Sequence, residues 1–159
     1  MVKMHKTFKV KKDGYSIVAD ITVVNADLLV SLTGGDLPHL GGVVTYDIKA
    51  DKIEKVYFAS HDGRKHKDIF LAEKFMQSIK SKLPGNACVT AGVHINGITK
   101  EQIDASYEMC DELAKQVTVW LKNNTINIQK PKYTTHLSRD QNGNLIEKGS
   151  IHDEKENYE

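Results

Sequence analysis

Asp36 and His39 stand inside residues 33–42, Thr-Gly-Gly-Asp-Leu-Pro-His-Leu-Gly-Gly, a stretch that carries four of the chain's 11 glycines and one of its 3 prolines. Clustered glycine marks a sharp turn, left-handed backbone or the close approach of another group. An acid and an imidazole at its centre could shuttle a proton near neutral pH, hold a divalent ion, or contact an anion. Two more imidazoles sit at the edges of expected elements. His66 is preceded by Arg64 and Lys65 and followed by Lys67, and His94 closes an apolar run over residues 87–95. If His39, His66 and His94 meet at one end of a sheet, they form a joint site. An anion would be received there by the amides of Gly34 and Gly35, by the N-terminus of a helix starting near residue 66, and by Arg64, Lys65 and Lys67. Taken singly, each imidazole could do no more than bond a neighbouring backbone group.

A metal held by His39, His66 and His94 is the less favoured form of this site. His61 and His66 are five apart, no His-Glu-x-x-His array occurs, and no Cys pair completes a zinc set. The glycine stretch ends in neither Gly-Lys-Ser/Thr nor Gly-x-Gly-x-x-Gly, so ATP and NAD are disfavoured. Ser60 beside His61, and Cys88 on the His94 face, are the only nucleophile pairings worth naming. Neither lies in a nucleophile elbow. Cys88 and Cys110 form no Cys-x-x-Cys pattern and read as two small buried hydrophobes.

The elements that must position these groups follow from periodicity. Phe8 and Val10, then Tyr15, Ile17, Ala19, Ile21 and Val23, alternate around a turn at Lys12-Asp13-Gly14, which predicts a β-hairpin. Further strands are expected at residues 28–32, 43–48 and 53–58. The period then lengthens: Ile69, Ala72, Phe75, Met76, Ile79 and Leu83 predict an amphipathic helix over about residues 66–82, stopped by Pro84-Gly85. Residues 87–95 make a sixth strand with small side chains on one face, where Gly92 would let a helix or a ligand approach the backbone. Thr99 and Gln102 form a capping box for a second helix reaching Asn123-Asn124, with Ile103, Tyr107, Cys110, Leu113, Ala114, Val117, Trp120 and Leu121 as its apolar stripe.

The expected fold is α+β, a mostly antiparallel six-stranded sheet with two amphipathic helices in the order β-β-β-β-β-α-β-α. Residues 1–128 read as a single domain and residues 129–159 as a polar hairpin or flexible tail, with Asn142-Gly143 as a turn. Length of 159, a 40% hydrophobic content and a net charge of +1 place the chain among globular proteins without the basic stripe that nucleic-acid binding requires. No apolar run reaches the length of a membrane span and the N-terminus has no signal-peptide core, so a cytoplasmic protein is expected.

Three motifs together resemble a known family: Thr33 to Gly41, then His66-Lys67-Asp68, then Ala91-Gly92-Val93-His94-Ile95. In order and context they are similar, across about residues 10–122, to the small prenylated-flavin chaperone-like family. Its founding members are the small D subunits accompanying gallate decarboxylases of the UbiD type. It also looks like the bacterial relatives of a proteasome assembly chaperone. The resemblance implies a self-associating α+β domain, a homodimer or higher homo-oligomer, that binds prenylated FMN or FMN and delivers it to a partner UbiD-type decarboxylase without being the catalyst. It implies ligand contacts from Gly34, Gly35, Asp36, His39, Gly41, Arg64, His66, Lys67, Gly92 and His94, with Asp36 orienting one imidazole. The chain departs from the pattern at Lys65, where a glycine is expected, and in its polar stretch after Gln129. A protein-assembly module using the sheet or the long helix as interface is the competing expectation.

Overall fold

A computed structural model describes residues 4–60, 63, 65–133 and 136–147. The opening alternation becomes β1 (Met4–Lys12) and β2 (Tyr15–Val24), joined by Asp13 and Gly14 at φ of 47° and 85°. Two successive positive φ values give a turn whose twist matches that of the strands it joins. Asn25, at φ 56°, turns the chain into β3 (Asp27–Gly35). There follow β4 (Gly42–Asp47), β5 (Lys52–Tyr57), α1 (Ile69–Ile79), β6 (Ala87–His94) and α2 (Lys100–Asn123).

The sheet runs β1-β2-β3-β6-β4-β5. The fold is α+β as expected, but the sheet is mixed, because β6 returns after α1 to lie between β3 and β4, parallel to the first and antiparallel to the second. Ala87, Val89, Ala91 and Val93 are all buried, which suits a strand paired along both edges. Pairings made at such sequence distance leave no mark in local periodicity.

Both helices cover one face. α1 packs on β4 and β6, α2 on β1 and β2, and the helices pack on each other. α1 buries Ile69, Leu71, Ala72, Phe75, Met76 and Ile79, and a fully buried large apolar side chain stabilises by roughly 1.5–3 kcal/mol. α2 opens on the capping box expected of it: the Thr99 hydroxyl accepts from the Gln102 amide, and the Gln102 side chain accepts from the Thr99 amide. Trp120 is partly buried, edge-on to Phe8 at 6.1 Å between centroids. The opposite face of the sheet has no covering layer among the described residues, and Leu29 and Val56 are exposed there.

Four local expectations need correction. The first helix begins at Ile69 rather than 66, since Lys65 is bridged to Ala59 and the His66 amide donates to the Phe58 carbonyl, which keeps this segment extended. Gly34 and Gly35 belong to β3 and not to the loop. Ile103 and Tyr107 share the periodicity of α2 but are exposed, while Ala105, Ser106, Met109 and Cys110 make the buried face of the same turns. Cys88 is only half-buried, whereas Cys110 is buried with its thiol donating to the Leu71 carbonyl. Burial pushes the Cys110 thiol up to about 12, so it stays protonated and inert at neutral pH.

The chain divides into one unit spanning Met1–Gln129 and another spanning Lys130–Glu159. In the second, β7 (Leu137–Arg139) pairs with β8 (Leu145–Glu147). Asp140 fastens the turn between them by accepting from the amides of Asn142 and Asn144 and from the Asn144 side chain, and these bonds hold its carboxyl below the ordinary range. Among the described residues no helix is long and apolar enough to cross a membrane.

Candidate functional site

The insertion of β6 dictates where the glycine-rich loop goes. β3 ends opposite His94 and β4 begins opposite Ala91, so residues 36–41 must cross the C-terminal end of β6. They do so in contact with it. The amides of Asp36 and Leu37 donate to the His94 carbonyl, that of His39 to Gly92, and that of Gly41 to Ala91. The amides of Asp36, Leu37, His39 and Gly41 are therefore committed to β6, while Gly34 and Gly35, whose amides were expected to face a ligand, lie within the sheet, Gly34 opposite Ile17 and Val93 and Gly35 opposite His94.

Two glycines make this crossing possible. A Cβ on Gly92 would lie 1.7 Å from the His39 carbonyl oxygen, so the close approach that a glycine in mid-strand foretells is made by the protein's own loop, not by a helix or a ligand. A Cβ on Gly41 would lie 2.7 Å from Asp68 Oδ2. Gly35, at φ 75°, turns the chain out of β3 above His94.

The loop carries His39 onto His66 and Asp68. His39 Nε2 lies 3.1 Å from His66 Nδ1 and 2.9 Å from Asp68 Oδ2, while His66 Nδ1 is 3.4 Å from the same oxygen. The two rings are 4.6 Å apart between centroids, and the three side chains are 14–23% exposed. His39 Nδ1 is 3.1 Å from the Leu37 carbonyl, which can only accept, so this nitrogen bears a proton. In the neutral ring Nε2 then presents a lone pair toward a carboxylate oxygen and a second ring nitrogen. Either an N–H carried on one of the two facing ring nitrogens or a metal ion would reconcile these atoms.

Asp68 stands in the second sequence motif but was given no contact in the expected site. It precedes α1 as its N-cap but makes no capping bond, its carboxylate being turned to the imidazoles. The carboxylate beside the imidazoles is that of Asp68, not of Asp36. Asp36 instead accepts from the Asn96 amide at 2.9 Å and pins the connection from β6 to α2.

His94 is exposed, 3.2 Å from Asn96 Oδ1 through Nε2, and lies near the pair without joining it. It lines the same hollow of about 530 Å³ as His39, Lys65, His66, Lys67 and Asp68. A neighbouring hollow of about 440 Å³ shares Lys67, Asp68, His94 and Ile98, and is lined further by Phe70, Ile103 and Tyr107. Phe70, Ile98, Ile103 and Tyr107 are exposed apolar side chains, a rim the periodicity assigned to core or left unassigned. The space thus has a cationic, imidazole-lined part and an apolar part, within the volume of roughly 300–1,000 Å³ usual for small-ligand sites. Lys65 Nζ rests 4.8 Å from the centroid of the Tyr57 ring. Arg64, expected here as a phosphate contact, lies outside the described residues.

Other candidates fall away on geometry. Cys88 and His94 stand at opposite ends of β6, about 20 Å apart at about 3.3 Å per residue. His61, the proposed base for Ser60, lies outside the described residues. A third hollow of about 450 Å³, beside Leu29, Thr45, Asn86 and Cys88, has no imidazole, and its carboxylates are taken: Asp27 accepts from the Asn86 amide, and Asp47 from those of Lys49 and Ala50.

An α+β domain with an imidazole-lined hollow over its sheet's end is the class defined so far. Residues 11–122 match the family described as the prenylated flavin chaperone LpdD-like domain, and the chain belongs to that family. Protein LpdD of Lactiplantibacillus plantarum is 42% identical over 128 residues, covering 80% of this chain and 93% of that protein. A chain from a solved chaperone complex for yeast 20S proteasome assembly overlays with a TM-score of 0.49 at 13% identity, covering 77% of this chain and 98% of that one.

Proposed function

We propose that this chain is a carrier for prenylated FMN that holds the cofactor in the hollow beside His39, His66 and His94 and passes it to a UbiD-type decarboxylase in the cytoplasm. It is a chaperone and not the catalyst. Membership of a prenylated flavin chaperone family supports the ligand class. The observation that carries the reading is that three motifs far apart in sequence line two adjoining hollows, one cationic and one apolar, which share Lys67, Asp68, His94 and Ile98. Lys65 and Lys67 with the imidazoles suit a phosphate. Phe70, Ile98, Ile103 and Tyr107 suit a planar ring system. Gly34, Gly35, Gly41 and Gly92 serve by shaping the loop, and Asp36 by fixing the connection after β6.

Titration of FMN and prenylated FMN into the purified chain tests this through the flavin spectrum. Saturable uptake of prenylated FMN is expected, weakened in His39→Ala. No uptake by the wild type at millimolar ligand removes the flavin reading. A second reading, an assembly module, is favoured by the uncovered sheet face, where Leu29, Val43 and Val56 would pair with a second copy. Light scattering on the same samples separates the two: His39→Ala that keeps flavin uptake but loses an oligomer supports assembly over carriage.

A further inference from the structure

We infer that His39, His66 and Asp68 form a binding site for one divalent first-row transition ion, with open coordination positions facing the hollow. Their donor atoms are separated by 2.9, 3.1 and 3.4 Å. At bond lengths of about 2.0–2.1 Å, ligands of one ion stand about 2.9 Å apart in octahedral and about 3.3 Å apart in tetrahedral geometry. The three atoms therefore already have the spacing of one face of a coordination polyhedron. A single proton sits on one nitrogen and is at best shared weakly between the other two atoms, whereas one metal cation bonds all three directly.

The surroundings have the features of a metal centre. His39 donates its other ring nitrogen to the Leu37 carbonyl, which fixes the tautomer whose Nε2 lone pair faces the site. Gly41 leaves the room in which Asp68 Oδ2 sits. Two imidazoles and one carboxylate suit zinc, iron or cobalt better than calcium or magnesium, which prefer all-oxygen sets. His94, expected among the ligands, is turned instead to Asn96. Three protein ligands leave the remaining positions open toward the 530 Å³ hollow, where an anionic oxygen could complete the shell. This site stands apart from the flavin reading, since metal uptake is measured without flavin.

The test is titration of Co²⁺ and Zn²⁺ into the full chain carrying no purification tag, by visible absorption for cobalt and calorimetry for zinc. One equivalent is expected, with the visible bands of cobalt bound to nitrogen and oxygen. Affinity should fall by about 100-fold in Asp68→Asn and in His39→Gln, each checked for folding by circular dichroism, since removing a ligand is at least as damaging as the ~100-fold upper range seen for outer partners. A wild type that takes up neither ion at micromolar concentration overturns the inference without reference to any variant. So does equal uptake by either folded variant.

Discussion

Alanine at position 92 is expected to lower stability by about 3 kcal/mol and to lift His39 from its place. The added methyl would sit 1.7 Å from the His39 carbonyl oxygen and 2.3 Å from its carbonyl carbon. These are backbone atoms, and no rotamer change relieves the overlap. The loop must rise off β6, stretching the amide bonds from Asp36, Leu37, His39 and Gly41 that tie it down. Overpacking of this kind costs about 1–3 kcal/mol, and a clash with fixed backbone belongs at the upper end. Lower unfolded-state entropy from losing a glycine offsets only about 0.4–1 kcal/mol. Urea unfolding should show a lower midpoint at an unchanged slope, and ligand uptake should fall with it. Stability within about 0.5 kcal/mol of wild type, the range of an indifferent surface change, would show that the loop does not depend on this strand.

Gly41→Ala should behave differently although the two glycines lie in the same crossing. Its nearest obstacle, at 2.7 Å, is Asp68 Oδ2, the free end of a side chain, with His66 Cβ and the Ala91 carbonyl next at 3.0 and 3.1 Å. The carboxylate can swing aside and the neighbours need give only slightly, so the expected loss of stability is about 1 kcal/mol. The site suffers more than the fold, because Asp68 leaves the two imidazoles it faces. A fall of about 10–100-fold in affinity for metal or flavin is expected, the range seen when an orienting partner is lost. The pair of variants therefore separates a glycine that holds the loop from one that holds the carboxylate. Undiminished binding by Gly41→Ala would mean that Asp68 takes no part.

Much of this arrangement could be read from local pattern. The hairpin of β1 and β2 follows from alternation and Asp13-Gly14, and the start of α2 from Thr99 and Gln102, because each is decided by residues within a few positions of one another. The anomaly at Gly92 correctly signalled a close approach, though not what approaches. The place of β6 between β3 and β4 was not legible, since pairing partners about 40 to 60 residues apart leave no local periodic trace. That insertion is what commits the loop amides to β6 and brings His39 over His66. Asp68 was hidden for a different reason: a helix expected from about residue 66 puts it inside the first turn, and only the fold, by starting the helix at Ile69, turns its carboxylate to the histidines. Ile103 and Tyr107 keep helical spacing with the core residues of α2, so periodicity alone could not distinguish the rim of a hollow from the interior.

Nuclear magnetic resonance of the isotopically labelled chain during addition of prenylated FMN tests the account most directly, because it reports where the ligand lies as well as whether it binds. The prediction is that ring signals of His39, His66 and His94 and the amides of Lys67 and Ile98 shift together and saturate at one equivalent, while Leu29, Thr45 and Cys88 on the uncovered face stay unchanged. Saturable shifts confined to that uncovered face, with the three imidazoles silent, would contradict it.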